Sequence, residues 1–382
     1  MEMVWVGVLA GGWGKRLGPL TESRPKPLLR VGGKRIIDYT LEQVLEARPS
    51  SGVVVVHPAI ARLNGVPSPL RVIAQEGPGL KSAIKTALKY ADDDVVVLSF
   101  TGYLSRPNTI VSSLLEYYTV SDYQLVMALA PVSSGLETFG FARLGLGGRV
   151  EKVTENLEEW RAGRGYVFAG VLAGKKSLVG KLAEEGFING VNLLAAKGLV
   201  GGYIWEGDWL EIAYPWDLLE APRLLIPRYE TAIREGAEVA TTARIGRGVI
   251  VERGAYIGEN TVVIGPSYIG ADALIGPNSV IGPGTIIEEG SRIGPLVVLE
   301  NTIVMAGATV GAATIMSGGV VGERGKVAPH VVGEKGRLDE PPEWAVPLLE
   351  GRRPRNLVMG PLIRPGSKET SPCMHLRPGE LV

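Results

Sequence analysis

From Val239 onward an aliphatic residue stands at every sixth position: Val239, Ile245, Val251, Ile257, Val263, Ile269, Ile275, Ile281, Ile287, Ile293 and Leu299. No other feature of the chain restricts its fold so tightly. A helix repeats at about 3.6 residues and an amphipathic strand at about 2, so neither carries a strict step of six. The step fits a triangular solenoid, in which each short face gives one aliphatic side chain to a central stack and small residues turn the corners. Gly246, Gly258, Gly270, Gly276, Gly282 and Gly294 stand directly after the aliphatic position, as such corners require. A parallel β-helix is therefore expected over 239–330. Pro222 and Pro227 predict a broken connector over 223–238 rather than one continuous helix. The repeat fades after about residue 320. Residues 331–382, rich in Pro, Gly and Arg, read as an irregular tail or as a return that adds a last coil.

A different rule governs residues 1–222. Val53–Val56, Leu70–Ala74, Val95–Ser99 and Leu125–Ala130 read as strands, and Ile36–Ala47, Lys81–Tyr90 and Ile110–Tyr118 as helices. This alternation predicts an α/β domain with a Rossmann-like, mostly parallel sheet covered on both faces. Ligands in such sheets lie beyond the carboxyl ends of the strands. There a first apolar strand, Met3–Leu9, breaks into Gly11, Gly12 and Gly14 and then presents Lys15 and Arg16. Small residues let backbone N–H groups approach an anion, and the cations neutralise it. Arg24-Pro25-Lys26-Pro27 is a second basic element, stiffened by its prolines. A Walker A loop fits poorly, because Gly14-Lys15 is followed by Arg16 and Leu9 stands where its first glycine belongs. A dinucleotide fingerprint must open a helix, which Pro19 interrupts. A plain structural turn with incidental charges is the remaining alternative.

Composition narrows the function classes. Forty basic and forty acidic residues cancel, so no global field draws the chain to nucleic acid or to a membrane surface. No apolar run reaches the roughly 18–20 residues of a membrane span. Cys373 is the only cysteine, which excludes an internal disulfide and a cysteine-built zinc site. With no signal-peptide pattern at Met1, a cytoplasmic protein is expected. Three glutamines and nine asparagines are few for this length, a habit of thermophile proteins.

The segment 9–29, Leu-Ala-Gly-Gly-Trp-Gly-Lys-Arg-Leu-Gly-Pro-Leu-Thr-Glu-Ser-Arg-Pro-Lys-Pro-Leu-Leu, resembles the signature of sugar-1-phosphate nucleotidyltransferases. The six-residue step resembles the hexapeptide repeat of left-handed β-helix proteins. Together the halves are similar, over residues 3 to about 320, to archaeal and bacterial two-domain proteins of that family. The phrase Gly207–Ala221, with Trp209 and Tyr214-Pro215-Trp216, is similar to the end of the archaeal catalytic domain. The resemblance implies that a sugar-1-phosphate oxygen attacks the α-phosphorus of a nucleoside triphosphate and pyrophosphate leaves. It implies that Leu9, Gly11, Gly12, Gly14 and Lys15 surround the nucleotide, Arg16 holds the pyrophosphate, and Lys26 bridges the α-phosphate and the sugar phosphate. Gln75 reads the base edge, with Gly79 leaving room for the base. Asn156, Gly140 and Gly170 fall on the sugar-phosphate side, and Glu211 with Asp208 on a magnesium ion. A homo-oligomer assembled through the β-helix is the further implication.

Four positions depart from the family pattern. Thr101 stands where a metal-binding aspartate is expected, Glu211 where the second falls, Asn156 where a lysine holds the sugar phosphate, and Phe168 where an asparagine precedes Ala169-Gly170. A hydroxyl replaces a magnesium-binding carboxylate poorly. A second reading follows: an impaired homologue that binds nucleotide or nucleotide sugar and regulates or scaffolds a partner. A third places acyl transfer in the β-helix, with His330 as base. Gly311-Ala312-Ala313-Thr314-Ile315 resembles the acyl-CoA-proximal coil, but Ser317 replaces the asparagine of relatives. His57 reads as structural and His375 gives no specific signal. Trp205, Trp209 and Trp216 read as core residues.

Overall fold

The computed structural model describes residues 4–131, 141–155, 165–227, 229–350, 357–368 and 370–382. The chain divides into two compact units. The first holds residues 1–13, 25–28 and 36–211; the second holds 14–24, 29–35 and 212–382.

Among the described residues the core of the first unit is a sheet of nine strands: β1 (Trp5–Ala10), β2 (Ser51–Val56), β3 (Leu70–Ala74), β4 (Val95–Phe100), β5 (Leu125–Pro131), β6 (Phe141–Leu144), β7 (Val150–Thr154), β8 (Tyr166–Lys175) and β9 (Val200–Ile204). Their order is β7-β6-β8-β4-β1-β2-β3, with β5 paired to both β8 and β9. Strands β4, β1, β2 and β3 run parallel, in the register Trp5 with Ser51 and Val96. Strand β8 is antiparallel to β4, β5 and β6, so the sheet is mixed. Every residue of β1 is buried, as a strand covered on both faces requires. Helices Ile36–Glu46, Gly79–Leu88 and Ile110–Val120 supply part of that cover. Two apolar clusters flank the sheet. One joins Trp5, Val53, Ile84, Leu98 and Leu172, the other Val6, Ile37, Val54, Leu114 and Val171.

The second unit is a three-sided stack of parallel strands, consistent with the left-handed hexapeptide form. Val239 pairs with Ile257 and Ile257 with Ile275, so each strand meets the one three steps further on. Ile257, Val263, Ile269, Ile275, Ile281 and Ile287 are fully buried in one cluster, the central stack read from the spacing. After Leu299 the phase slips. Ile287 pairs with Val304, Ile293 with Val310 and Leu299 with Met316. The tail supplies Leu362–Ile363 and His375–Leu376, which pair in parallel with Val320–Val321 and Val332–Gly333.

Two devices hold the coils. A Cβ at Gly276 would lie 2.6 Å from the backbone nitrogen of Pro295, and one at Gly294 2.7 Å from that of Ala312. The next coil, rather than the backbone angles, excludes a side chain at those corners. Buried hydroxyls then bond across coils: Thr261 to Gly276 O at 3.0 Å, Ser279 to Gly294 O at 3.2 Å and Thr314 to Ala328 O at 3.1 Å.

Residues 29–35 form a hairpin, Arg30–Val31 with Lys34–Arg35, turned by Gly32-Gly33. Within the second unit the Gly33 N–H donates to Glu288, 3.1 Å from Oε2. Full burial pushes the Glu288 carboxyl up to about 7, against the opposing pull of the Gly33 and Gly32 N–H groups and of Arg30. Burial also raises the Tyr268 hydroxyl, helped by the charge of Glu288.

Candidate functional site

In the first unit the parallel register of β4, β1, β2 and β3 places Thr101, Gly11, His57 and Gln75 just past the same ends of four adjacent strands. Backbone bonds fix them there, Gln75 N–H to Val56 O at 2.8 Å and Thr101 N–H to Leu9 O at 3.1 Å. Leu9 is buried under this edge. Gly11 touches Gln75: a Cβ on Gly11 would collide with the Gln75 amide oxygen. The Gln75 amide nitrogen donates to Gly77 O and, at 3.0 Å, to Gly79 O. Gln75 therefore braces its own turn as well as the glycine loop. Gly12 is exposed and a Cβ there would meet nothing within 4 Å; the same holds for Gly79, which opens its helix at φ +81°.

Lys26 is half-buried, and its backbone N–H donates to Trp13 O at 2.8 Å. The bond ties the Pro-Lys-Pro element to the end of the glycine loop. The Trp13 ring meets the His57 ring edge-on at 5.0 Å. His57 Nδ1 also accepts the Ala59 N–H at 3.2 Å, which caps a short 3₁₀ turn. That is the structural part expected of it.

Glu211 ends the strand Asp208–Glu211, which pairs antiparallel with Tyr103–Arg106 so that Glu211 faces Tyr103 in register. Glu211 and Thr101 are both buried, and the Thr101 hydroxyl has no hydrogen-bond partner among the described residues. Asp208 is exposed, in register with Arg106. Gly170, at φ +85°, lies against the Tyr103 ring, which leaves no space for a Cβ. Phe168 belongs to an aromatic group rather than a polar one. It meets Phe100 and Phe187 at 5.1 Å and Tyr103 at 6.0 Å, and Tyr103 meets Trp209 at 6.2 Å. Gly140 and Asn156 lie outside the described residues.

Magnesium is held by carboxylate and phosphate oxygens in a near-ideal octahedron. This edge offers one buried carboxylate, Glu211, and the neutral hydroxyl of Thr101. Among the described residues no group of three or more His, Cys, Asp or Glu could hold a metal ion. One carboxylate beside substrate phosphates is a common protein share of a magnesium site, a part that Glu211 fits and the Thr101 hydroxyl does not.

The remaining signature residues belong to the second unit. Gly14 adopts a left-handed conformation at φ 89° and starts a 3₁₀ segment, Lys15–Thr21, kinked at Gly18. No α-helix follows the glycines, so the dinucleotide reading fails on the same proline that argued against it. The Thr21 hydroxyl donates to Gly14 O at 3.0 Å and closes the loop. Lys15 is exposed, and the Arg16 guanidinium lies over the Tyr214 ring, 5.4 Å from its centre. Tyr214 stacks on Trp216 at 4.8 Å, while Asp217 accepts the Ala213 and Tyr214 N–H groups at 2.7 and 2.6 Å. The sequence assigned Tyr214, Trp13 and Tyr103 no part in the site. Their partners are distant in sequence, and no spacing signals such contacts.

His330 lies in a left-handed turn at φ 60° and is exposed, with its N–H on Ala312 O at 2.8 Å. Trp205 is buried, as a core residue should be. No helix among the described residues is long and apolar enough to cross a membrane.

A family model described as nucleotidyl transferase matches residues 7–221, and one described as the GMPPB C-terminal domain matches residues 263–336. The first covers more than half of the chain, which therefore belongs to the nucleotidyl transferase family. The chain is 26% identical over 258 residues to the bifunctional protein GlmU of Methanococcus maripaludis, covering 65% of this chain and 60% of that protein. It is 28% identical over 264 residues to a putative mannose-1-phosphate guanyltransferase of Sulfolobus acidocaldarius, covering 64% and 69%. A low-salt glycan biosynthesis nucleotidyltransferase, Agl11, of Haloferax volcanii is 28% identical over 237 residues, covering 57% and 65%. The match to the GlmU proteins thus spans about 60% of their length.

Proposed function

We propose that this protein transfers a nucleotidyl group from a nucleoside triphosphate to a sugar-1-phosphate, releasing pyrophosphate. The observation that carries the reading is the edge formed past β1 and β3. There Gly12 is open, Gly11 is packed too closely on Gln75 to bear a side chain, and Lys26 is fixed by its backbone bond to Trp13. A phosphate oxygen of the sugar phosphate attacks the α-phosphorus. The new P–O bond forms as the bond from the α-phosphorus to the bridging oxygen breaks, and that electron pair leaves with pyrophosphate. Catalysis of this kind is positioning and charge neutralisation. Backbone N–H groups of the glycine loop bind phosphate oxygens. Lys26 neutralises charge on the α-phosphate and the incoming sugar phosphate, and Arg16 that on the pyrophosphate. Gly170 serves the sugar-phosphate side, a role that the family resemblance also gives to Gly140 and Asn156. The test is pyrophosphate release over a panel of triphosphates and sugar phosphates, with magnesium present. Release above that of a Lys26→Ala, Arg16→Ala double variant is expected. No difference from that variant would overturn the reading.

The aromatic group around Phe168 and the neutral hydroxyl of Thr101 favour a second reading, nucleotide or nucleotide-sugar binding with little turnover in a regulatory or scaffold protein. Its mark is calorimetric binding without pyrophosphate release, with activity raised by Thr101→Asp. In either case the β-helix serves self-assembly, which light scattering on the full chain checks. Acyl transfer through His330 is the lesser alternative, tested by thiol release from acetyl-CoA.

A further inference from the structure

The segment Glu343–Leu349, in the part of the sequence with the weakest pattern, folds as a 3₁₀ turn within the second unit. It touches the loop that carries Arg16. A Cβ added to Gly18, the kink of that loop, would lie 2.9 Å from Leu348 Cδ1 and 3.7 Å from the Trp344 ring. Leu348 and Leu349 pack in one small cluster with Ala213, Tyr214 and Trp216, and the Arg16 guanidinium rests on the Tyr214 ring. The segment is anchored at its far side, since Trp344 Nε1 donates to Gly379 O at 2.8 Å. Two ion pairs close the frame around the loop, Glu22 with Arg364 at 3.0 Å and Arg24 with Glu323 at 2.9 Å.

We infer that Glu343–Leu349 is a positioning strap for the 14–24 loop, acting through Leu348 on Gly18 and through the Tyr214 ring on Arg16, and that it thereby sets the affinity for the polyphosphate. The affinity part rests on the role given to Arg16 above. A 3₁₀ turn kinked at a glycine has little internal hydrogen bonding to hold one conformation. Apolar contact from outside the loop supplies the missing restraint. A cation held over a ring is aimed without losing its charge, so it still meets an anion. Tyr214 and Leu348 are thus positioning residues.

The experiment compares full-length wild type with Leu348→Ala, Leu348→Met, Tyr214→Leu and Tyr214→Phe. Hydrogen exchange of peptides covering 14–24 reads the strap directly. Calorimetric titration with inorganic pyrophosphate and with nucleoside triphosphates reads its consequence. Leu348→Ala and Tyr214→Leu are expected to speed exchange of 14–24 selectively, with strand 51–56 unchanged, and to weaken pyrophosphate binding by about tenfold. Leu348→Met keeps the volume and Tyr214→Phe keeps the ring face, so both should behave as wild type. Unchanged exchange over 14–24 in Leu348→Ala overturns the strap. So does faster exchange spread evenly over the chain, or an unaltered pyrophosphate affinity despite a loosened loop. If wild type binds neither pyrophosphate nor any triphosphate, the proposed function falls, and the exchange result alone decides the strap.

Discussion

Glu288 shows how one position can carry a pH dependence that its neighbours in the repeat do not. It stands directly after Ile287, at the place Gly270, Gly276 and Gly282 hold elsewhere, fully buried and bonded to the Gly33 N–H. The groups facing it are the Gly32 and Gly33 N–H groups, Tyr268, Arg30 and Glu289, and only Arg30 among the charged ones favours its ionised form. Its carboxyl titrates at about 7 in the folded chain and at 4.5 when unperturbed. Between those values the folded state binds more protons than the unfolded, so stability falls as pH rises. Relative to Glu288→Gln, wild type should lose roughly 2–3 kcal/mol of unfolding free energy from pH 4.5 to 7.5. Urea denaturation at a series of pH values checks the slope; parallel curves for the two proteins would contradict it. At the same scale, Gly11→Ala must displace the Gln75 amide. Triphosphate affinity is expected to drop by about tenfold or more, since close-packed sites absorb added volume poorly. Calorimetry reads that loss directly.

Elements differ in how much of themselves the sequence reveals. The third strand, Leu70–Ala74, is read residue for residue, and the helix at 110 to within two residues, because their periods of burial are local. The β-helix stack is legible for the same reason: one buried aliphatic per six-residue face survives as a count along the chain. Hidden features involve partners far apart. Nothing in the spacing foretells that the phase slips after Leu299, or that His375–Leu376 pairs with Val332–Gly333 after a long excursion. The corner glycines and the hydroxyl ladder lead to different expectations. Gly276→Ala pushes a methyl to 2.6 Å from the Pro295 nitrogen, whereas Ser279→Ala removes bonds to Gly294 O and from the Val297 N–H, each 3.2 Å long. The first should cost about 3 kcal/mol or more and the second about 1–2 kcal/mol, measured by urea unfolding. Equal costs would mean that backbone approach is not what keeps glycine at the corners.

For the whole molecule, the two periods in the sequence yield two folds, but the compact units do not follow the chain. Residues 14–24 and 29–35 belong with 212–382, so the signature is shared: Gly11, Gly12 and Lys26 in one unit, Gly14, Lys15 and Arg16 in the other. The sequence could not announce that division, since Gly18 meets Leu348 and Gly33 meets Glu288 through shape and burial alone. The chemical half of the site that was legible, the glycine loop with Lys26, is the half built from local backbone constraints. The acceptor half depends on Thr101, Phe168 and Glu211, whose surroundings are set by Tyr103 and the aromatic group packed around it. The most direct test of nucleotidyl transfer is phosphorus NMR of one mixture of protein, magnesium, triphosphate and sugar-1-phosphate. A new diphosphate diester and free pyrophosphate are expected to appear in equal amounts, and Lys26→Ala to abolish both. A triphosphate that stays intact, or is hydrolysed with no diester formed, would contradict nucleotidyl transfer.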